Sequence, residues 1–411
     1  MTIAITNARI FDGREVLDAR TVLIEDGLIT GVGREAPADA EIVDARSGTL
    51  LPGLIDAHVH TGEEPLALAL RFGVTTELEM QGSHTRGNRG HITDNDTVAD
   101  VRSAGFAITP PGGHPSELFP EGFEPVGDRT IRYPNGDFGP PVMPFSTTPE
   151  QAVAFIPQLV ETGSDYIKFM VDDGSVEGHP GIPALDQATL DAGVAEAKRH
   201  GMLTIAHALT VDATWMALEA GIDGFAHLFL DQPHNDQIIG LIARSGTFVV
   251  PCVVLNASLM GITGSEFAAD PRVSSRLDDA WMKTLCSSFD LYHQGALSDV
   301  MASVAALNQA GVDLIVGTDA SVPVPFLGGL AHGASVHHEL QYLVKAGLTP
   351  VEALRAATST PARRFGLTDR GRIAEGLRAD LLLVEGDPTS IISDTLGIQA
   401  VWRRGVRLKS D

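Results

Sequence analysis

The chain has 411 residues, 44% hydrophobic and 20% charged, which suffices for one large core or two and excludes a disordered protein. With 53 acidic against 29 basic residues the formal charge is −24, which argues against nucleic acid or an anionic membrane as a partner. Cys252 and Cys286 form no Cys-x-x-Cys pattern, so neither a disulfide framework nor a thiolate metal site is expected, and a reducing cytoplasm fits best. No run of about 18 apolar residues occurs.

Residues 1–10 read as a strand rather than a signal peptide. Short strands follow at 3–6, 9–11, 21–25, 28–32 and 41–44, with Asp26-Gly27 as a hairpin signal. Such a segment cannot bury a core alone. Strands recur near the end, at 371–373, 379–384 and 398–406, so the two chain ends are expected to build one small β-sandwich from residues 1–52 and 367–411.

Between them, over 53–366, strand, loop and helix alternate. Apolar strands are expected at 54–59, 74–78, 107–109, 166–171, 203–206, 224–228, 248–254 and 314–317, with helices at 148–162, 187–200, 211–220 and 235–244. Eight strands in alternation with helices predict an α/β architecture, a (β/α)₈ TIM-like barrel with its functional groups at the C-terminal strand ends. Residues 81–145, rich in Gly and Pro, are expected to loop over the mouth. Residues 259–307 are expected to be helical, as a lid or an oligomer face.

Strand ends carry the chemistry. His58 and His60 end the first strand, and residues two apart project from one face. A surface pair in a turn would give the same His-x-His. Downstream, however, Lys168, His207, His227 and Asp319 also stand at strand ends. Each has a plain structural reading: a hydrogen-bonded histidine, an N-cap aspartate, a lysine paired with an acid. Six at one rim point to a metal centre instead. Neutral imidazoles and a carboxylate bind zinc or a similar ion, which lowers the pKa of bound water. An aspartate can carry a proton to a leaving nitrogen. A buried neutral lysine can become a carbamate able to bridge two metals.

The order His-x-His, Lys, His, His, Asp resembles the amidohydrolase superfamily of metal-dependent hydrolases, in its imidazolonepropionase-like and Xaa-Pro dipeptidase-like branch. The supporting stretches are Gly73-Val-Thr-Thr, Gly113-His114, Ala206-His-Ala, the run from Ala220 to His227, Gly317-Thr-Asp, and the run from Gly371 to Val384. The resemblance implies two divalent metals, zinc by expectation. One would be held by His58, His60, Lys168 and Asp319, the other by carboxylated Lys168, His207 and His227. It further implies attack by a metal-bridging hydroxide, with Asp319 as the catalytic proton carrier and His114 as a catalytic or substrate-contacting group. By the same resemblance a homo-oligomer is expected. Two departures stand out: Glu77-Leu-Glu-Met-Gln where relatives have Arg-Asp, and Leu228-Phe229-Leu230, which offers no hydroxyl after the sixth-strand histidine.

His179, Phe229, Val254, Asn256 and Phe326 are candidate pocket residues, with a loop role equally open to His179. Arg86 and Arg89 could hold a substrate carboxylate or lie in a solvated loop. His337 and His338 read as structural or surface residues, and Cys252 as a buried small residue. The expected reaction is hydrolysis of a C–N amide-type bond in a small molecule, an N-acyl amino acid or dipeptide-like amide. The alternatives are a cyclic amide, urea, carbamate or aryl amide, a mononuclear enzyme, and a non-catalytic scaffold on the same fold.

Overall fold

The structure is a computed structural model that describes residues 2–118, 131–132, 138–139 and 143–409. Seven short strands open the chain: β1 (Ile3–Thr6), β2 (Arg9–Phe11), β3 (Val16–Leu17), β4 (Val22–Glu25), β5 (Leu28–Val32), β6 (Glu41–Asp44) and β7 (Thr49–Pro52). β4 and β5 pair antiparallel across Asp26-Gly27, both of which take positive φ, 49° and 81°. A two-residue hairpin needs that conformation, because it matches the twist of the flanking strands.

β7 was not expected. It runs through Gly53 directly into β8 (Leu54–Val59). A Cβ on Gly53 would lie 2.2 Å from Thr75 Oγ1, so only glycine lets the chain pass so close to the next strand, β9 (Val74–Glu79). β10 (Asp100–Ser103) completes a parallel sheet in the order β10-β9-β8. The third strand therefore lies at 100–103, not 107–109. Ile108 and Thr109 make only isolated bridges. β10 also lies within the stretch expected to loop over the mouth. Within that stretch, β11 (Ile131–Arg132) and β12 (Phe138–Gly139) form a short hairpin. Residues 119–130, 133–137 and 140–142 lie outside the described residues.

A second parallel sheet holds β13 (Ile167–Met170), β14 (Thr204–His207), β15 (Gly224–Ala226) and β16 (Phe248–Val250), in that order. All four are buried along their whole length, as strands covered on both faces must be. Between them run helices Gln187–Arg199, Val211–Ala220 and Asp236–Ser245. Asp186, Thr210 and Asn235 cap them by accepting a backbone N–H three residues on. The two sheets meet through single contacts. The Asp165 N–H reaches the Ser103 carbonyl at 2.8 Å, Ile108 bridges Phe169, Leu314 bridges Val249, and the Ala57 N–H reaches the Val316 carbonyl at 2.9 Å. Residues 314–317 make no regular strand; they pair by these contacts and by the Val316 N–H, which donates to the Ala356 carbonyl at 2.8 Å.

β17 (Leu381–Val384), β18 (Ile398–Arg403) and β19 (Val406–Arg407) return to the N-terminal strands, giving a six-stranded sheet in the order β19-β18-β17-β7-β2-β3. Facing it is β5-β4-β1-β6. One apolar cluster joins them, with Ile5, Ile24 and Leu50 from the first segment and Leu381, Leu383 and Trp402 from the last. In the 259–307 stretch, Phe267, Trp281 and Leu285 pack with Leu68 and Phe72 in a satellite core. Part of that stretch is thus committed to packing. His337 is structural as expected: its nitrogens meet Thr395 Oγ1 and the Phe72 carbonyl, each at 2.9 Å.

Candidate active site

The rim of β8, β13, β14 and β15, with the turn at 318–320, gathers the histidines that the sequence placed at strand ends. His58 faces the interior from β8, and His60 follows just past it. Asp319 Oδ1 lies 3.1 Å from Nε2 of both. The His58 ring sits 4.5 Å from that of His227, which sits 4.7 Å from that of His207. Asp319 and His227 both hold positive φ, 62° and 80°, a strained choice for residues with side chains. Asp319 is held there because its N–H donates to the His58 carbonyl at 2.8 Å. Thr318 is anchored too, its hydroxyl and N–H donating to the Asp56 carboxylate at 2.7 and 3.1 Å.

Burial sets the protonation of this cluster. Desolvation pushes His58 down to about 3, with the Lys168 charge adding to it, and brings His207 down to about 4. His227 moves down for the same reason. All three are therefore neutral imidazoles near pH 7, the form that ligates a metal. Burial opposes charge on Asp319, yet His58 and His60 outweigh it and keep the carboxylate ionised. Burial lowers Lys168 to about 8, against the attraction of Asp319.

Several of these atoms lack what a buried polar atom normally has. Lys168 Nζ, His207 Nε2, His227 Nδ1 and Asp319 Oδ1 are buried and make no hydrogen bond among the described residues. Asp319 Oδ1 and the Nε2 atoms of His58 and His60 thus converge on one place. His58, His60 and Asp319 place three donor atoms within 4.8 Å of one another, a set suited to a divalent cation. The outward nitrogens fit the same picture: His60 Nδ1 meets the Gln81 carbonyl at 3.2 Å, and His58 Nδ1 lies 3.9 Å from Cys252 Sγ. Cys252 is buried as expected, and burial raises its thiol pKa further.

His114 joins the cluster. Its ring stacks on His207 at 4.1 Å, and its Nδ1 lies 2.6 Å from Glu117 Oε1 and 3.0 Å from Glu177 Oε1. Burial disfavours its charged form, but the two carboxylates more than offset this and push it up to about 10. Phe229 and Asn256 are buried, and Asn256 Oδ1 has no partner among the described residues. His179 and Phe326 stand at the surface instead. Arg89 is not available as a clamp for substrate, because its guanidinium chelates Asp165 through both terminal nitrogens. Arg86 is 73% exposed and 3.9 Å from the same aspartate.

Three buried acids were missed. Glu177 and Asp172 approach His207 Nε2 at 3.4 Å each, and Glu77 holds His332 Nδ1 at 2.8 Å while accepting from Thr61. Glu77 had a signal: an acid in an otherwise apolar strand. Glu177 had none beyond its place after the fourth strand.

Residues 49–408 match the amidohydrolase family profile, and residues 3–45 match the NagA composite domain. The chain is 24% identical to an allantoinase of Solibacter usitatus, over 93% of this chain and 84% of that one. It is 25% identical to an imidazolonepropionase of Deinococcus deserti, over 95% and 92%. Among solved structures it superposes on a Xaa-Pro dipeptidase with bound methionine, with a TM-score of 0.73 at 22% identity over the whole of both chains.

Proposed function

This chain belongs to the amidohydrolase family and is a hydrolase of carbon–nitrogen bonds; from that premise we propose that it cleaves an amide-type bond of a small molecule at a centre of two divalent metals, zinc foremost. His58, His60, Lys168 and Asp319 would hold one, and Lys168, His207 and His227 the other. The observation that carries this reading is the group of buried polar atoms without partners. Each costs about 1–3 kcal/mol when left unsatisfied, a cost that a bound cation removes. We place the site at the mouth of a closed eight-stranded barrel, with domain boundaries at 52/53 and 366/367. The bridges between the two parallel sheets support this placement.

When bound, the metals supply a water made acidic enough to attack near neutral pH. The chain does the rest. Asp319, ionised and aimed inward, takes the proton of the attacking water and passes it to the leaving nitrogen. His114 donates to the carbonyl oxygen. Lys168, brought down to about 8, has enough neutral amine near pH 7 to take up carbon dioxide as a carbamate with two ligand oxygens. Buried Phe229 and Val254 keep the surroundings apolar and dry.

An N-acyl amino acid or dipeptide-like substrate needs a cation for its carboxylate, and Arg89 is bound to Asp165. That observation favours the second reading: a cyclic amide, urea, carbamate or aryl amide without a carboxylate. The test is metal content per chain, with turnover by the apo, zinc-restored and Asp319→Asn forms across N-acyl amino acids, dipeptides, lactams and aryl carbamates. Two metals, with turnover lost in the Asp319 variant, are expected. No metal under excess zinc and no turnover would leave a non-catalytic scaffold.

A further inference from the structure

His332 is fully buried, as is the acid it meets, Glu77 of β9. It stands just before helix Ala334–Lys345, in a stretch with little room to shift. The next residue, Gly333, holds φ 69°, and a Cβ there would lie 2.7 Å from Phe72 Cβ and 2.9 Å from Ala69 Cα. Trp281 meets the His332 ring edge-on, with centroids 5.4 Å apart.

Both ring nitrogens are engaged. Nδ1 lies 2.8 Å from Glu77 Oε1, and Nε2 lies 2.9 Å from the Ser321 carbonyl oxygen. A carboxylate and a carbonyl only accept, so each needs an N–H, and an imidazole with two N–H groups is the cation. A neutral ring would leave one of these contacts unmade inside the core. Burial opposes the charge, but Glu77 outweighs it and raises the ring pKa. The other acid nearby is Asp56, opposite Glu77 in the β8–β9 register. Its oxygens are taken by Thr318 and by the His58 N–H.

The two contacts of His332 lead to two members of one ligand set. Glu77 Oε2 accepts the Thr61 hydroxyl at 2.5 Å, and Thr61 directly follows His60. Ser321 stands two residues past Asp319. Between these arms the His60 N–H donates to the Ala320 carbonyl at 2.8 Å. Asp319, with its positive φ, therefore sits in a turn pinned on both sides. Thr318 is held by Asp56 before it, and Ser321 by His332 after it.

We propose that His332 is a positioning residue: as an imidazolium paired with Glu77, it fixes the turn that aims Asp319 and ties that turn to the arm carrying His60. The proposal rests on the metal-centre reading above. Partners outside a ligand set hold the ligands in place for the ion. His332 does so at one remove, through the Ser321 carbonyl on one side and through Glu77 and Thr61 on the other. Glu77, which opens the stretch where the second strand departs from its relatives, thereby gains a task.

The test uses the full chain loaded with zinc, so that no substrate is needed. ¹⁵N-histidine spectra count the ring N–H groups, with His332→Gln identifying the His332 signals by their loss. Two ring N–H signals are expected for His332 in wild type. Zinc release to an excess of chelator is then followed in wild type, His332→Gln, Glu77→Gln and Thr61→Val. His60→Gln marks which equivalent belongs to the His60 side. Loss of an outer partner typically weakens metal binding about 10–100-fold. Because His332 acts at one remove, release of the His60-side equivalent should quicken about 10-fold in His332→Gln and Glu77→Gln, and by less in Thr61→Val. The equivalent held by Lys168, His207 and His227 should leave at the wild-type rate. Thr61→Val removes one hydroxyl at the end of the tie, and keeps the test decisive if the other variants fail to fold. A single ring N–H on wild-type His332, with the proton on Glu77 instead, would overturn the proposal. Wild-type release in the variants would overturn it too, as would equal quickening of both equivalents, the mark of a merely structural pair. A wild-type chain that takes up no zinc would instead overturn the metal-centre reading, and the positioning role with it.

Discussion

Two clusters of buried charge lie at opposite ends of the parallel strands, and they are built on opposite rules. At the start of β10, Asp100 is fully buried and meets four guanidiniums. Arg370 lies 2.5 Å away, Arg378 3.1 Å, Arg102 3.2 Å and Arg403 3.6 Å. Arg370 also donates to Thr76 of β9 and to Asp369. Burial would raise the Asp100 pKa, but this ring of cations drives it far below the usual carboxylate range. At the other end, Lys168, His207 and His227 are buried and Asp319 is 17% exposed, yet one atom of each lacks a partner among the described residues. The first cluster closes the C-terminal segment onto the parallel sheet. The second leaves donor atoms facing one another. Both oxygens of Asp100 are met by cations, whereas Asp319 Oδ1 has no hydrogen-bond partner among the described residues; a saturated carboxylate marks a structural cluster and an open one a site, which separates the two better than charge does.

Four experiments can break or sharpen this contrast. The largest effect belongs to Asp319→Asn, which keeps the shape but removes the proton carrier and a ligand charge. Turnover should drop about 10³-fold, while the urea midpoint stays within error of wild type. A large loss of stability would show that Asp319 is structural after all. Next, Arg370→Met should cost about 3 kcal/mol, since it strips the nearest cation from a buried carboxylate. Here the urea midpoint falls and turnover per folded molecule does not.

The third is acid sensitivity. The folded-state pKa of Asp100 lies below its unfolded value of 3.8, so its contribution is whole above pH 3.8 and drains away as pH falls below it. Asp100→Asn should be less stable at neutral pH and show a shallower decline below pH 4 than wild type. Equal slopes would remove Asp100 from the acid response. The smallest effect is that of Arg89→Gln, at about 2 kcal/mol of stability for a charge-assisted pair. Turnover should not change if Arg89 serves only Asp165. A raised KM with unchanged stability would return Arg89 to the site and favour a substrate that carries a carboxylate.

Much of this was legible along the chain. His58 and His60 were readable as a pair because a strand's period of two is local. His207, His227 and Asp319 were readable because each ends an apolar run, and Lys168 because it is a lone cation inside one. The Asp26-Gly27 hairpin followed from a backbone conformation that few residues accept. What failed, failed for want of long-range information. β7 has no alternation of its own and exists because Leu51 pairs with Leu382, far along the chain. β10 has a polar sequence, Asp-Val-Arg-Ser, made tolerable inside a core by partners far along the chain, Arg370 and Arg378 at Asp100 and Asp165 at the Ser103 N–H. Arg89 looked free because Asp165 is 76 residues away.

The sequence by itself determined the kinds of group at the rim, their order and the alternation that carries them there, since these rest on neighbours within a few residues. It also determined that such a chain would cover its parallel strands on both faces. Only the tertiary structure decided which charges are satisfied. Whether an acid is an anchor, like Asp100, or an inward-facing donor, like Asp319, depends on partners brought from distant strands. Hydrogen bonds and ion pairs are short-ranged, and the fold alone sets those distances.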